Sequence, residues 1–238
     1  MDYEITWLRL LWCIAPVLLL CLIYQYWQGK VREVLIANAR MATQLILIGY
    51  VLVFVFERPS IWISLGILAL MLTVASWIAI RPVRHHRGFW LPALTALGIA
   101  VSVHLAISLF LVLDVETWYE PRILIPLAGM FFANAMNAIS LSAERYHSEL
   151  HNNQSSEKAR LLGFEAAMIP QINGLLAVGL VALPGMMTGQ ILSGVSPLIA
   201  VRYQILIMTM VLGTSGLSAA LMLWQLGKKP VQIDHSAQ

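Results

Sequence analysis

Charge is scarce in this chain. Only 11% of its 238 residues are Asp, Glu, Lys or Arg, while 59% are hydrophobic. A soluble domain carries about 25% charged residues. Mean hydropathy is +0.77. These values exclude a sizeable soluble domain and place most of the chain in lipid. The net charge of +3 would suit nucleic acid, but the basic residues gather in short loops between apolar segments. No nucleic-acid partner is expected. Cysteine is also scarce. Cys13 and Cys21 are the only two, roughly 12 Å apart along one helix. That is too far for a disulfide, so packing is their expected role. The chain contains no Walker A sequence, no H-E-x-x-H, no C-x-x-C and no G-x-S-x-G. P-loop nucleotide binding and self-contained hydrolysis are thereby excluded, and no cofactor is expected on this chain. The first apolar stretch lacks a basic leader and a small-residue cleavage site, so it reads as a retained span.

What is present is a series of apolar segments long enough to cross a bilayer, which takes about 20 residues. Seven are expected: Ile5–Trp27, Val34–Phe56, Ile61–Ile80, Phe89–Leu113, Arg122–Ser142, Met168–Leu192 and Leu198–Leu226. The fold class is all-α, a polytopic membrane protein. Lys30 and Arg32, then Arg81, Arg84 and Arg87, then Arg145, Lys158 and Arg160, then Lys228 and Lys229 occupy alternate connections. The other set holds Arg58 with the acids Asp114, Glu116 and Glu120. Basic residues stay in the cytosol, so the N-terminus is expected outside and the C-terminus inside. Trp7, Trp27, Trp62, Trp90, Trp118 and Trp224 fall near span ends, as in an aromatic belt. One transmembrane domain over 1–227 is expected, with a cytosolic loop at 143–167 and a polar cytosolic tail at 228–238.

One stretch breaks the pattern. Val178–Gly194, VGLVALPGMMTGQILSG, is apolar but interrupted by Pro184, Gly185 and Gly189. Proline lacks an amide hydrogen and clashes with the preceding turn, so a helix here should kink or unwind. In hydrocarbon such a break needs protein or a water-filled cavity around it. Met186, Met187, Thr188 and Gln190 accompany it. The break is either part of a pathway or a kink with a Gly185-x-x-x-Gly189 packing face.

Polar residues within spans are costly there and often functional. Met130, Asn134, Asn137, Leu141 and Glu144 recur at spacings of four, three, four and three, so they share one helix face. This stripe either lines a path for a cation or holds helices together by amide hydrogen bonds. Arg40 and Gln44 lie one turn apart in the second span, and Arg202 and Gln204 near the start of the last. Snorkelling accounts for these as well as function does. His104 is intramembrane and suits packing or a proton relay. His147 and His151, with Glu144, share a helix face and could chelate a metal or be solvated, as could His85 and His86.

The segments IPLAGMFFANAMNAISLSAERY (Ile125–Tyr146), IPQINGLLAVGLVALPGMMTGQILSG (Ile169–Gly194) and PLIAVRYQILIM (Pro197–Met208) resemble the FetB family of iron-export ABC transporter permeases. That family includes plant aluminium-tolerance permeases. The segment from Arg40 to Phe56 also looks like the family's second span. The resemblance implies a permease in the cytoplasmic membrane working with a separate cytosolic FetA-like ATPase, with ATP bound on that partner. It also implies paired permease chains and efflux of iron. The connection SELHNNQSSEKARLLGFEAA is shorter than the family's usual segment, and it is where the partner would dock.

The resulting reading is a permease subunit, not itself an enzyme, exporting a metal cation such as iron. Met130, Asn134, Asn137 and Glu144 would line the pathway with Pro184, Gly185, Met186, Met187, Thr188, Gly189 and Gln190. Glu144, Arg145, Glu157, Arg160 and Glu165 would couple to the partner. Gly174, Gly179 and Gly194 would permit close helix approach. A gradient-driven secondary transporter and a non-transporting membrane partner protein remain open alternatives.

Overall fold

The computed structural model describes residues 6–83 and 88–228. Arg84, His85, His86 and Arg87 lie outside the described residues, as does the tail beyond Lys228. Among the described residues the regular structure is helical, apart from one isolated bridge between Val178 and Ala182. The chain divides into two compact units, Met1–Arg58 and Pro59–Gln238.

The first unit is a helical hairpin. Helix α1 (Trp7–Leu10) passes through a single 3-10 turn, Leu11–Cys13, into α2 (Ile14–Tyr26). Helix α3 (Val31–Glu57) follows. Gln28 has φ +55°, and the Gly29 amide donates to the Tyr24 carbonyl at 2.6 Å. A Cβ on Gly29 would come within 2.8 Å of the Tyr24 ring, so this turn needs glycine. Cys21 of α2 and Val55 of α3 are buried, while Leu18, Leu22, Ile36 and Leu45 are exposed. Helices apolar all round, with so little buried within the chain, suit a lipid surround. Arg40 and Gln44 are exposed on α3.

The second unit is built around α6 (Pro121–His151), which packs on α4 (Ile61–Ala79), α5 (Trp90–Ala106), α7 (Ser156–Ala177) and α9 (Pro197–Lys228). Pro121 opens α6 at the first turn, where its missing amide costs nothing. Ala128, Ala135, Ala138 and Ala143 on α6 are fully buried, as are Ala93, Ala96 and Ala100 on α5. Side chains this small let backbones approach closely, the usual basis of helix association in lipid. A short helix α8 (Gly185–Leu192) packs against α9. Helix α5 continues as a π-helical stretch, Ile107–Val112. There the Ser108 hydroxyl donates to the His104 carbonyl at 2.7 Å. His104 places Nδ1 2.8 Å from the Ala100 carbonyl, and its ring sits against the Gly213 backbone of α9. These contacts suit the packing role.

Six helices among the described residues are long and apolar enough to cross a membrane: Leu8–Tyr26, Val31–Glu57, Ile61–Ala79, Trp90–Val112, Pro121–His151 and Pro197–Lys228. The seventh expected segment, Met168–Leu192, is not one helix. It is the end of α7, a break at 178–184, and α8.

The expected cytosolic loop at 143–167 is also mostly helix. Its AERYHSEL half forms the end of α6, and the HNNQSS region holds the turn. From Ser156 onward, however, the chain is α7, capped by the Ser155 hydroxyl accepting from the Lys158 amide. The charges at Glu157, Lys158, Arg160 and Glu165 concealed a seam of small residues. Ala159, Gly163 and Ala167 are all buried and recur every four positions. A Cβ on Gly163 would lie 2.9 Å from the Ser142 carbonyl of α6. Gly163→Val should therefore destabilise the protein by about 1–3 kcal/mol through overpacking. Thermal unfolding of the detergent-solubilised full chain tests this, and an unchanged midpoint would refute the close approach.

Candidate functional site

A cavity of about 620 Å3 lies among α6, α7, α8 and α9. Met130, Asn134, Asn137 and Leu141 line its α6 wall, and Pro184, Gly185 and Met186 line the opposite side. The amide stripe and the broken segment, expected separately from sequence, thus face one space. Asn134 Nδ2 donates to the Met130 carbonyl at 2.8 Å. That bond commits the amino group to its own helix and turns the amide oxygen away from it.

The break is ordered by its own backbone. Val178 is extended, and Gly179 has φ +84°, a conformation that favours glycine. The Gly179 amide donates to the Ala182 carbonyl at 3.0 Å, and the Val181 amide to the Ala177 carbonyl at 2.9 Å. Pro184 then caps α8 in an extended conformation, with its carbonyl accepting from both the amide and the hydroxyl of Thr188. The amides of residues 178–182, freed by the break, are met locally by carbonyls of Gly174, Ala177 and Ala182. Of the glycines expected to allow close helix approach, Gly174, Gly179, Gly185, Gly189 and Gly194 have nothing within 4 Å of an added Cβ. Gly179 and Gly194 (φ +88°) serve turns instead. Glycine composition cannot separate these two uses.

The remaining expected residues disperse. Met187 lines a second, smaller cavity of about 280 Å3 with Leu183 and Val178. Thr188 is occupied with Pro184, and Gly189 and Gln190 line neither cavity. Glu144 is exposed on α6 and does not line the larger cavity. Arg202 is exposed, but Gln204 is buried at 5% relative exposure and borders both cavities. Snorkelling therefore does not describe Gln204. Sequence reasoning also passed over Gln171 and Met208, which line the larger cavity. Gln171 beside Pro170, and Met208 one turn after Gln204, were the available signals.

Among the described residues the larger cavity has no charged side chain in its lining. Its donors are neutral: amides of Asn134, Asn137, Gln171 and Gln204, the hydroxyl of Ser140, and thioethers of Met130, Met186 and Met208. Among the described residues no group of three or more His, Cys, Asp or Glu could hold a metal ion. His147 and His151 pack edge to face at 4.5 Å, and His147 also meets Phe89 at 6.5 Å. What the cavity can do is surround a cation, with or without its water, using neutral oxygen and sulfur.

At the other end of α7, Glu157, Lys158 and Arg160 line an open groove of about 680 Å3 with Phe164 and Trp224. Lys228 lies over the Trp224 ring at 3.5 Å. Arg160 covers Gly227 of α9. Glu165 is exposed and stands outside this groove. Arg145 pairs with Glu149 at 2.7 Å, and Glu149 is only 8% exposed. Arg145→Ala would strand this buried carboxylate and should cost about 1–3 kcal/mol. Glu149→Gln removes the charge as well and should cost less. Thermal midpoints of the two variants should rank in that order.

Residues 7–230 match the uncharacterised protein family UPF0014. The chain belongs to this family. It is 38% identical over 212 residues to the UPF0014 membrane protein slr1647 of Synechocystis, covering 81% of each chain. It is 30% identical over 202 residues to the probable iron export permease protein FetB of Escherichia coli, covering 79% of this chain and 77% of FetB. It is 30% identical over 243 residues to the protein ALUMINUM SENSITIVE 3 of Arabidopsis thaliana, covering 92% and 87%. No solved structure matches the chain significantly. As a UPF0014 member with six long apolar helices, it is an integral, multi-pass membrane protein.

Proposed function

We propose that this UPF0014 protein is the membrane-spanning permease subunit of an ATP-driven transporter that exports a metal cation across the cytoplasmic membrane. The observation that carries the reading is the cavity shared by the α6 amide stripe and the break between α7 and α8. Similarity to FetB adds iron as the first cargo to test. ATP would be hydrolysed on a separate FetA-like chain, and two permease chains would pair around two such ATPases. The groove beside Glu157 and Arg160 would receive the partner's push. Helix α7 would carry it to the break at 178–184, the element able to hold two arrangements. Glu144, exposed on α6, would draw cations toward the mouth.

The test is to purify the tagged full chain from its native membrane in mild detergent. A stoichiometric ATPase chain, with turnover raised by Fe(II), is the expected result. A chain that comes alone and moves Fe(II) under an ion gradient without ATP would replace this reading with a secondary transporter, which broken helices also suit.

A further inference from the structure

Gln204 stands where two unlike chambers meet. The larger one, about 620 Å3, is walled by the amides of Asn134, Asn137 and Gln171. The smaller one, about 280 Å3, lies toward the C-terminal end of α7 and the N-terminal end of α9. Its walls are apolar, with Leu175, Leu183, Val201 and Ile205, and among the described residues its only polar side chains are Gln204 and Thr209. Among the described residues, Gln204 and Met208 alone border both chambers. Gln204 is 95% buried, and its Oε1 has no hydrogen-bond partner among the described residues. A buried amide oxygen left unsatisfied costs about 1–3 kcal/mol, and a rotation of this side chain toward either chamber would let a ligand relieve that cost.

We infer that Gln204 and Met208 form the selectivity step between the chambers, passing a partly dehydrated, borderline-soft divalent transition-metal cation and rejecting Mg2+ and Ca2+. The inference rests on the permease reading above. The larger chamber holds a cation with its first water shell, since six waters at about 30 Å3 each fill a fraction of it. The smaller chamber offers almost no donors, so a cation entering it keeps most of its water and exchanges only what its entrance can replace. There the Gln204 oxygen replaces a water, and the Met208 sulfur supplies a second, softer donor. Mg2+ sheds water reluctantly and Ca2+ requires several oxygens, carboxylates among them, whereas thioether and imidazole donors favour later transition metals.

The experiment uses everted membrane vesicles containing the full chain and its native ATPase, energised with ATP. Uptake is read for Fe(II) held reduced, with Mg(II) and Ca(II) as competitors. Gln204→Leu should lower Fe(II) uptake about ten- to a hundredfold, the loss of one contact to a charged ligand. Gln204→Glu supplies a carboxylate, and Mg(II) should then compete at least about tenfold more strongly. Met208→Leu should narrow the preference for Fe(II) over Mg(II). Membrane insertion and monodispersity are measured for each variant. If Gln204→Leu does not insert, Gln204→Asn carries the test, because its shorter amide withdraws the oxygen and should reduce uptake. Wild-type uptake and competition in a well-inserted Gln204 variant would overturn the inference while leaving the permease reading intact. No cation uptake by the wild-type vesicles would overturn the permease reading, and this inference with it.

Discussion

Replacing both Asn134 and Asn137 with leucine should abolish metal efflux, by about a hundredfold or more, while the protein still folds and inserts. Leucine has the branched outline of asparagine, and its extra bulk can extend into the cavity, so the α6 wall keeps its backbone. Both residues line the larger cavity, and neither is fully buried in a helix interface. The one hydrogen bond lost is from Asn134 Nδ2 to the Met130 carbonyl, which as a helical carbonyl retains its backbone donor. No orphaned group is created, so stability should shift by less than about 1 kcal/mol. A pathway lined by leucine offers a cation no oxygen, and two contacts of about 1.5–3 kcal/mol each are lost. Cellular iron content after overexpression, together with the thermal midpoint of the purified variant, checks both halves. Normal efflux from the double variant would show that the stripe is interhelical glue, the competing account of two asparagines in a bundle.

Gly179→Val should reduce transport at least about tenfold through the backbone rather than through any lost contact. An added Cβ meets nothing, so space is not the obstacle. The obstacle is φ +84°, where a β-branched residue is strained by about 1–3 kcal/mol. Relief of that strain opens the turn closed by the Gly179 amide and the Ala182 carbonyl. The turn sets where α8 begins, so Pro184, Gly185 and Met186 would leave the cavity wall. Gly189→Ala is the control. Gly189 is helical and has open space around it, so alanine should preserve transport and stabilise α8 by up to about 1 kcal/mol. Equal effects of the two substitutions would mean that glycine size, not conformation, matters in this stretch.

Much of the architecture was legible because lipid imposes simple rules. Long apolar runs must become helices, and so the spans now seen as α3, α4, α6 and α9 were readable from hydropathy alone. The break near Pro184 was legible for a similar reason, since proline cannot continue the backbone ladder. Spacing on α6 placed Met130, Asn134 and Asn137 on one face, and they do share one. The helical nature of Ser156–Ala167 was not legible. It fell in the connection between two apolar spans, and the pattern that packs it as a helix is a row of small residues whose value appears only against α6.

The sequence by itself therefore determined that this is an all-helical membrane protein, where its apolar helices run, and that one of its segments is interrupted. Each of those follows from local chemistry: hydropathy, helical spacing and the missing amide of proline. Only the tertiary structure decided that the amide stripe and the interruption face one cavity, that Arg145 is held by Glu149, and that Gln204 is buried between two chambers. These depend on the rotation and depth of helices far apart in the chain. Close packing of small side chains across α6, α7 and α9 fixes that rotation, and no periodicity within a single helix encodes it.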